Sequence, residues 1–118
     1  MITGPAGIGK SALALALIER GATLIADDIT EVDNGTAYAP THHQGWLEVR
    51  GIGLISGFPV CEHAPVAAEI CLTEDKPDRY PQKSKTNIPV FYLWAQDTNQ
   101  ADKVIIIDKV IKKELIQE

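Results

Sequence analysis

Cysteine is scarce in this chain of 118 residues, which contains only Cys61 and Cys71. Their spacing is not that of a zinc site, so a structural metal held by paired cysteines is excluded. A disulfide between them stays open as an alternative. We expect two ordinary buried thiols instead, because nothing else in the sequence indicates an oxidising compartment.

Long apolar runs and a cationic excess are also missing. No stretch approaches the length of a membrane-spanning helix, and no basic and apolar leader is present, so we expect a cytoplasmic protein without a membrane partner. The formal net charge is −5, from 11 basic and 16 acidic residues. Non-specific nucleic-acid binding requires a dense cationic face, so we expect no nucleic-acid partner.

Apolar residues make up 45% of the chain, enough for a modest core. There is no internal repeat and no break in composition that would separate two units. The sequence therefore predicts one domain over residues 1–118, of the α/β class.

The most informative segment matches the phosphate-binding pattern G-x-x-x-x-G-K-[ST]. It comprises Gly4, Pro5, Ala6, Gly7, Ile8, Gly9, Lys10 and Ser11. Glycines let backbone N–H groups turn toward phosphates, the lysine reaches the terminal phosphates, and the serine hydroxyl ligates Mg²⁺. An apolar strand stub precedes the loop and a strong helix former follows it, so the segment predicts a nucleotide or polyphosphate site at a helix N-terminus.

The pattern of apolar residues predicts a series of elements around this loop. A helix from about Gly9 to Arg20, apolar on most faces, should end at Gly21, and Asp33-Asn34-Gly35 is a hairpin signal. Strands are expected at 1–3, 23–26, 36–39, 47–55, 66–72 and 88–94, with loops at 56–65 and 73–86. Near the C-terminus, Asp97 to Asn99 could cap a final helix, whereas the β-branched residues Val104 to Ile107 could form a strand.

Two adjacent carboxylates, Asp27 and Asp28, follow the short apolar segment Thr23–Ala26. Because successive side chains of a strand point to opposite faces, we expect one carboxylate to face the phosphates and the other to face structure or solvent. The alternative is that Asp27 caps a turn and Asp28 is simply hydrated.

The run from Gly4 through Asp28, together with L-E-V-R-G-I-G-L-I at 47–55, resembles the HPr kinase/phosphorylase catalytic domain. That resemblance implies a mixed, curved sheet with a P-loop helix, similar to the nucleotide-binding core of phosphoenolpyruvate carboxykinase. It also implies a homohexamer that uses ATP, Mg²⁺ and in many members pyrophosphate. Its partner would be the phosphocarrier protein HPr of the sugar phosphotransferase system. HPr would be phosphorylated on a regulatory serine and, in many members, dephosphorylated by phosphorolysis.

The resemblance also implies roles for individual residues. Lys10 would bind the β- and γ-phosphates, and Ser11 and Glu48 would hold Mg²⁺. Asp28 would be the general base that accepts the serine proton, and Arg79 would stabilise charge on the transferred phosphoryl group. Because residues two apart in a strand share a face, Arg50 could serve the same site as Glu48, or the two could form a surface ion pair.

The chain departs from the family pattern at several positions. The upstream strand with its catalytic histidine has no counterpart, since only three residues precede Gly4, and either that region is lacking or the sequence is a fragment. Phe91 to Trp94 stand where bifunctional members carry an arginine-containing run, which favours kinase over phosphorylase. A small-molecule kinase and a catalytically silent nucleotide sensor remain alternative interpretations.

Overall fold

The computed structural model describes residues 1–27, 31–39, 44–49, 51–76, 82–83 and 88–117. Within them the chain forms a mixed α/β fold of two helices and nine short strands. In chain order these are β1 (Ile2–Thr3), α1 (Lys10–Glu19), β2 (Glu31–Asp33), β3 (Thr36–Tyr38), β4 (Leu47–Val49), β5 (Gly53–Ile55), β6 (His63–Pro65), β7 (Glu69–Thr73), β8 (Gln82–Lys83), β9 (Pro89–Trp94) and α2 (Gln100–Gln117).

The largest sheet has the strand order β1-β7-β9-β8. Strands β1, β7 and β9 are parallel, and β8 runs antiparallel to β9. The carboxyl ends of the three parallel strands therefore lie at one edge of the sheet, which in open α/β sheets is the edge where ligands bind. The glycine-rich loop that follows β1 begins at this edge.

Two hydrophobic clusters hold the fold together, and α1 contributes to both. The first consists of Leu13, Ile70, Leu72, Leu93 and Ala101, and lies where the main sheet meets the two helices. The second consists of Leu24, Leu47 and Val49, against which Ala14, Leu15 and Ile18 of α1 pack. The all-round apolar character of α1 therefore follows from burial on two sides, as its sequence predicted.

Helix α1 ends as its sequence predicts. Gly21 has a φ of 103°, which favours glycine, and its N–H donates to the Ile18 carbonyl at 3.0 Å. The next N–H, from Ala22, donates to the Leu17 carbonyl at 3.0 Å. These two bonds form a Schellman motif, which satisfies carbonyls that the helix end would leave unpaired.

Two antiparallel hairpins accompany the main sheet. Strands β2 and β3 are joined by Asn34 and Gly35 with φ values of 51° and 77°, which confirms the predicted turn. Strand β6 pairs with the other edge of β3, and β4 pairs with β5.

Several sequence predictions were wrong. The expected strand at 23–26 is reduced, within the described residues, to a single bridge between Leu24 and Val60. The expected loop at 56–65 contains β6, which depends on pairing with β3, a contact that its own residues do not signal. For residues 104–107, where a helix and a strand were both open, the helix is confirmed: they lie within α2, and Val104 and Ile107 pack against the first cluster.

The two cysteines are free thiols, but both are half-buried rather than buried. Neither helix in the described part of the chain combines the length and apolar character that crossing a bilayer requires.

Candidate functional site

The glycine-rich loop turns sharply between β1 and α1. Gly4, Gly7 and Gly9 have φ values of 146°, 77° and 114°, a region that disfavours other residues. At Gly4 there is also no space, because a Cβ atom would lie 3.0 Å from the Leu72 carbonyl oxygen and 3.1 Å from Ile8 Cγ2. The first and last glycines of the motif are thus required by backbone geometry.

Helix α1 begins without a capping side chain. Its N-cap is Gly9, and its first turn contains no acidic residue. The N–H groups of the first turn have no partner within the helix, and the helix dipole favours an anion beside them. This end of α1 is therefore suited to a phosphate group.

Lys10 folds back over the loop that precedes it. Its Nζ donates a hydrogen bond of 2.7 Å to the Gly4 carbonyl oxygen. The ammonium group is thus held within the loop, half-buried, where it can meet a phosphate that the loop binds.

Asp27 connects the start of α1 to strand β4. Its Oδ1 accepts a hydrogen bond of 2.7 Å from the Ser11 hydroxyl. Its Oδ2 accepts one of 2.8 Å from the backbone N–H of Glu48. One carboxylate therefore brings together the two residues for which the sequence predicted a role in Mg²⁺ binding.

Lys10 and Ser11 thus lie at the end of the loop, and the backbone of Glu48 is linked to Ser11 through Asp27. The other predicted site residues, Asp28 and Arg79, lie outside the described residues. The histidines at 42–43 and the arginine at 50 lie outside them as well. Sequence reasoning did not assign Asp27 to the site, although it singled out the acidic pair. The signal that could have found it is its position next to Asp28, only 16 residues after the loop serine.

Few side chains in the described part of the chain could hold a metal ion at this site. Among the described residues there is no group of three or more His, Cys, Asp or Glu side chains that could enclose a metal ion. Magnesium is commonly bound by one or two carboxylates together with substrate phosphates and water. The Ser11 hydroxyl and the exposed Glu48 carboxylate fit that pattern.

An open groove of about 760 Å³ extends from the loop between the two helices. Lys10 and Asp27 line its polar end, whereas Leu17 of α1 and Ile107 and Ile111 of α2 line its apolar part.

Residues 1–60 match the sequence model of a family described as HPr Serine kinase C-terminal domain. The chain belongs to this family. The matched region contains the loop, Asp27 and Glu48, so the site described above lies within the part that the family shares.

Curated members of the HPr kinase family are similar to this chain over limited segments. The HPr kinase/phosphorylase of Clostridium novyi is 44% identical over 91 residues, covering 67% of this chain and 29% of the relative. That of Bordetella pertussis is 47% identical over 60 residues, covering 47% of this chain and 20% of the relative. The chain thus spans less than a third of the length of these relatives.

A solved structure of the HPr(Ser) kinase/phosphatase from Coxiella burnetii is similar over almost the whole chain. The TM-score is 0.70 at 27% sequence identity, covering 98% of this chain and 87% of that chain. This similarity supports the assignment of the mixed α/β fold to the HPr kinase family.

Proposed function

We propose that this chain is an ATP-dependent protein-serine kinase that phosphorylates HPr on a regulatory serine. The observation that carries the proposal is the hydrogen-bonded connection from Ser11 through Asp27 to Glu48, at the start of a helix preceded by a phosphate-type loop. In a member of the HPr serine kinase family, that connection joins the loop to the backbone of Glu48, whose exposed carboxylate we propose as a metal ligand.

Within this proposal the loop binds the phosphates of ATP. The N–H groups at the start of α1 face the phosphate chain, and Lys10 exchanges its bond to the Gly4 carbonyl for the β- and γ-phosphates. Ser11 and Glu48 would hold Mg²⁺, which neutralises charge on the phosphate oxygens. Asp27 orients the Ser11 hydroxyl and fixes the position of strand β4.

Phosphoryl transfer also needs a base and a cation near the reacting group. The serine oxygen of HPr forms a bond to the γ-phosphorus, the bond to ADP breaks, and the serine proton passes to a carboxylate. Both oxygens of Asp27 already accept hydrogen bonds, which favours a positioning role for Asp27. We therefore assign the base to its neighbour Asp28 and the charge-stabilising cation to Arg79.

The finer parts of the proposal rest on family resemblance. We propose a P-loop core like that of phosphoenolpyruvate carboxykinase, with residues 1–118 as one catalytic domain in a cytoplasmic homohexamer. Pyrophosphate could replace ATP, and reverse phosphorolysis would return the serine proton from Asp28. Because Phe91 to Trp94 replace an arginine-containing run, we expect phosphorolysis to be weaker than the kinase reaction.

The test is transfer of labelled phosphate from γ-labelled ATP and Mg²⁺ to HPr, beside HPr that lacks its regulatory serine. We expect label on the intact acceptor alone. Asp28→Asn should abolish transfer while ATP binding persists, and Lys10→Ala should weaken both.

Other outcomes would contradict the proposal. ATP binding without transfer to any acceptor would indicate a catalytically silent nucleotide sensor. Consumption of ATP with a metabolite in the absence of a protein acceptor would indicate a small-molecule kinase.

A further inference from the structure

Gly45 is a buried residue between two exposed ones, in the segment that precedes strand β4. Its φ is 75°, and a Cβ atom at this position would lie 2.5 Å from the carbonyl oxygen of Phe58. The Phe58 N–H in turn donates to the Gly45 carbonyl at 3.1 Å. The backbones of the two segments are therefore in contact, and only glycine permits so close an approach at this φ.

This backbone contact lies three residues before Glu48. Phe58 packs against the second cluster, and Leu47, which is fully buried in that cluster, stands between Gly45 and Glu48 in the chain. A close-packed interior transmits displacements to its neighbours. A shift of Gly45 away from Phe58 therefore changes the position of the strand that begins at Leu47.

The backbone of Glu48 is the part of β4 that reaches the candidate site. Its N–H donates to Asp27 Oδ2 at 2.8 Å, and Asp27 Oδ1 accepts from the Ser11 hydroxyl at 2.7 Å. A hydrogen bond weakens when its length and angle depart from the preferred range, so a shift of about half an ångström in the Glu48 backbone is enough to weaken the first bond. A displacement that begins at Gly45 thus reaches the Ser11 hydroxyl through Asp27.

We infer that Gly45 is a positioning residue for the candidate site. Its contact with Phe58 holds the Glu48 N–H where it fixes Asp27, and Asp27 orients the Ser11 hydroxyl. The inference rests on the proposed function in one respect, the role of Ser11 as a Mg²⁺ ligand. Its consequence is that Gly45 supports the part of nucleotide binding that depends on Mg²⁺.

Hydrogen exchange tests the connection without any ligand. In Gly45→Ala the added methyl group displaces either its own segment or Phe58, so the Glu48 N–H is bonded to Asp27 for a smaller fraction of the time. We expect the Glu48 amide, followed by NMR, to exchange about tenfold faster or more. The amides of β7, in the main sheet, should exchange at an unchanged rate.

The affinity for ATP, measured by titration calorimetry with and without Mg²⁺, tests the consequence. We expect Gly45→Ala to reduce the gain in affinity that Mg²⁺ provides by about tenfold. The Mg²⁺-free affinity, which depends on the loop and Lys10, should stay unchanged. In an Asp27→Ala background, Gly45→Ala should not alter the gain further, because the residue that connects it to Ser11 is already absent.

Gly35→Ala is the matched control. Gly35 has nearly the same φ, 77°, in the turn between β2 and β3, but a Cβ atom there would have no described atom within 4 Å. The control therefore carries the same backbone strain without the contact, and it should change neither Glu48 exchange nor the gain from Mg²⁺. Phe58→Ala is a second variant, because it removes the packing that holds Phe58 against Gly45, and it should shift both measurements in the same direction as Gly45→Ala.

The possible results separate the inference from the proposed function. Unchanged Glu48 exchange and an unchanged gain from Mg²⁺ in both Gly45→Ala and Phe58→Ala overturn the inference. Equal effects of Gly45→Ala and Gly35→Ala, or additive effects of Gly45→Ala and Asp27→Ala, also overturn it, since they indicate a general loss of stability. If the unaltered chain binds ATP with the expected Mg²⁺ dependence but transfers no phosphate to HPr, the proposed function is overturned alone.

Discussion

At the scale of single residues, Asp27 determines how the candidate site is assembled. It is half-buried and uses both carboxylate oxygens, one for a side chain of α1 and one for the backbone of β4. Groups that orient metal ligands commonly affect metal affinity or activity by 10- to 100-fold when they are changed. We therefore expect Asp27 to affect the proposed reaction through the positions of Ser11 and the Glu48 backbone.

Asp27→Asn should retain only one of these two bonds. The asparagine oxygen can accept from the Glu48 N–H, but the amide nitrogen can only donate to the Ser11 hydroxyl oxygen, which reverses that hydrogen bond and occupies a lone pair that a metal ion would need. We expect phosphotransfer to fall by about 10- to 100-fold, with a higher Mg²⁺ concentration needed for half-maximal rate. Steady-state kinetics over a Mg²⁺ titration measure both effects.

The matched control for this change is Asp33→Asn, which alters an exposed carboxylate at the end of β2. It should leave the rate and the Mg²⁺ dependence unaltered. A normal rate and Mg²⁺ dependence in Asp27→Asn would show that the carboxylate has no positioning role.

At the scale of elements, the start of α2 is stabilised by Asp97. Its Oδ1 accepts a hydrogen bond of 2.8 Å from the Asn99 N–H, and its Oδ2 pairs with the Lys103 ammonium group. The hydrogen bond from Lys103, followed by that from Asn99, lowers the pKa of Asp97 below its usual value of 3.8. The predicted capping region at 97–99 is confirmed, and the helix begins at Gln100.

This lowered pKa predicts a pH dependence of stability. Because the folded-state pKa lies below the unfolded-state value, the stabilisation is present above the unfolded-state pKa and is lost as pH falls through the folded-state pKa. Asp97→Asn should therefore lower the melting temperature modestly at pH 7 and have no effect at a pH below the folded-state pKa. Thermal melts of both proteins across this range measure the difference.

Asp75→Asn, an exposed carboxylate in the turn after β7, serves as the control and should give the same small change at both pH values. If Asp97→Asn lowers the melting temperature equally at acidic and neutral pH, the effect is not due to ionisation of Asp97.

At the scale of the whole molecule, α1 joins the two hydrophobic clusters. Leu13 is 3% exposed in the first cluster, while Ala14, Leu15 and Ile18 on other faces of α1 pack on the second. A helix that is buried on two sides cannot leave one cluster without exposing the other. We therefore expect the described part of the chain to unfold as one cooperative unit.

Two tryptophans allow this cooperativity to be measured. Trp46 directly precedes Leu47 of the second cluster, and Trp94 directly follows Leu93 of the first. In Trp46→Phe the remaining Trp94 reports on the first cluster, and in Trp94→Phe the remaining Trp46 reports on the second. Unfolding of each variant in urea is followed by fluorescence after Leu13→Ala has been added. Leu13→Ala should lower stability by about 2–5 kcal/mol through loss of buried contacts, and by the same amount for both reporters.

Unequal effects would contradict a single cooperative unit. If Leu13→Ala lowers the urea midpoint reported by Trp94 but not that reported by Trp46, the two clusters unfold separately. The two tryptophan variants without Leu13→Ala serve as the reference for each reporter.

The sequence by itself determined the features that depend on neighbouring residues. The glycine-rich loop, the end of α1 at Gly21 and the turn at Asn34-Gly35 were all predictable, because each depends on the backbone freedom of glycine or asparagine within a few residues. Membership of the HPr kinase family was also recognisable, since its signature segments are continuous in sequence.

Only the tertiary structure decided which distant residues meet. The bond from Asp27 to the Glu48 backbone, the pairing of β6 with β3, and the helical state of residues 104–107 all depend on contacts between separate segments. Local propensity carries no information about such contacts, and burial against a neighbour can override it. For this reason the loop could be predicted from sequence, whereas the bond from Asp27 to the backbone of β4 could not.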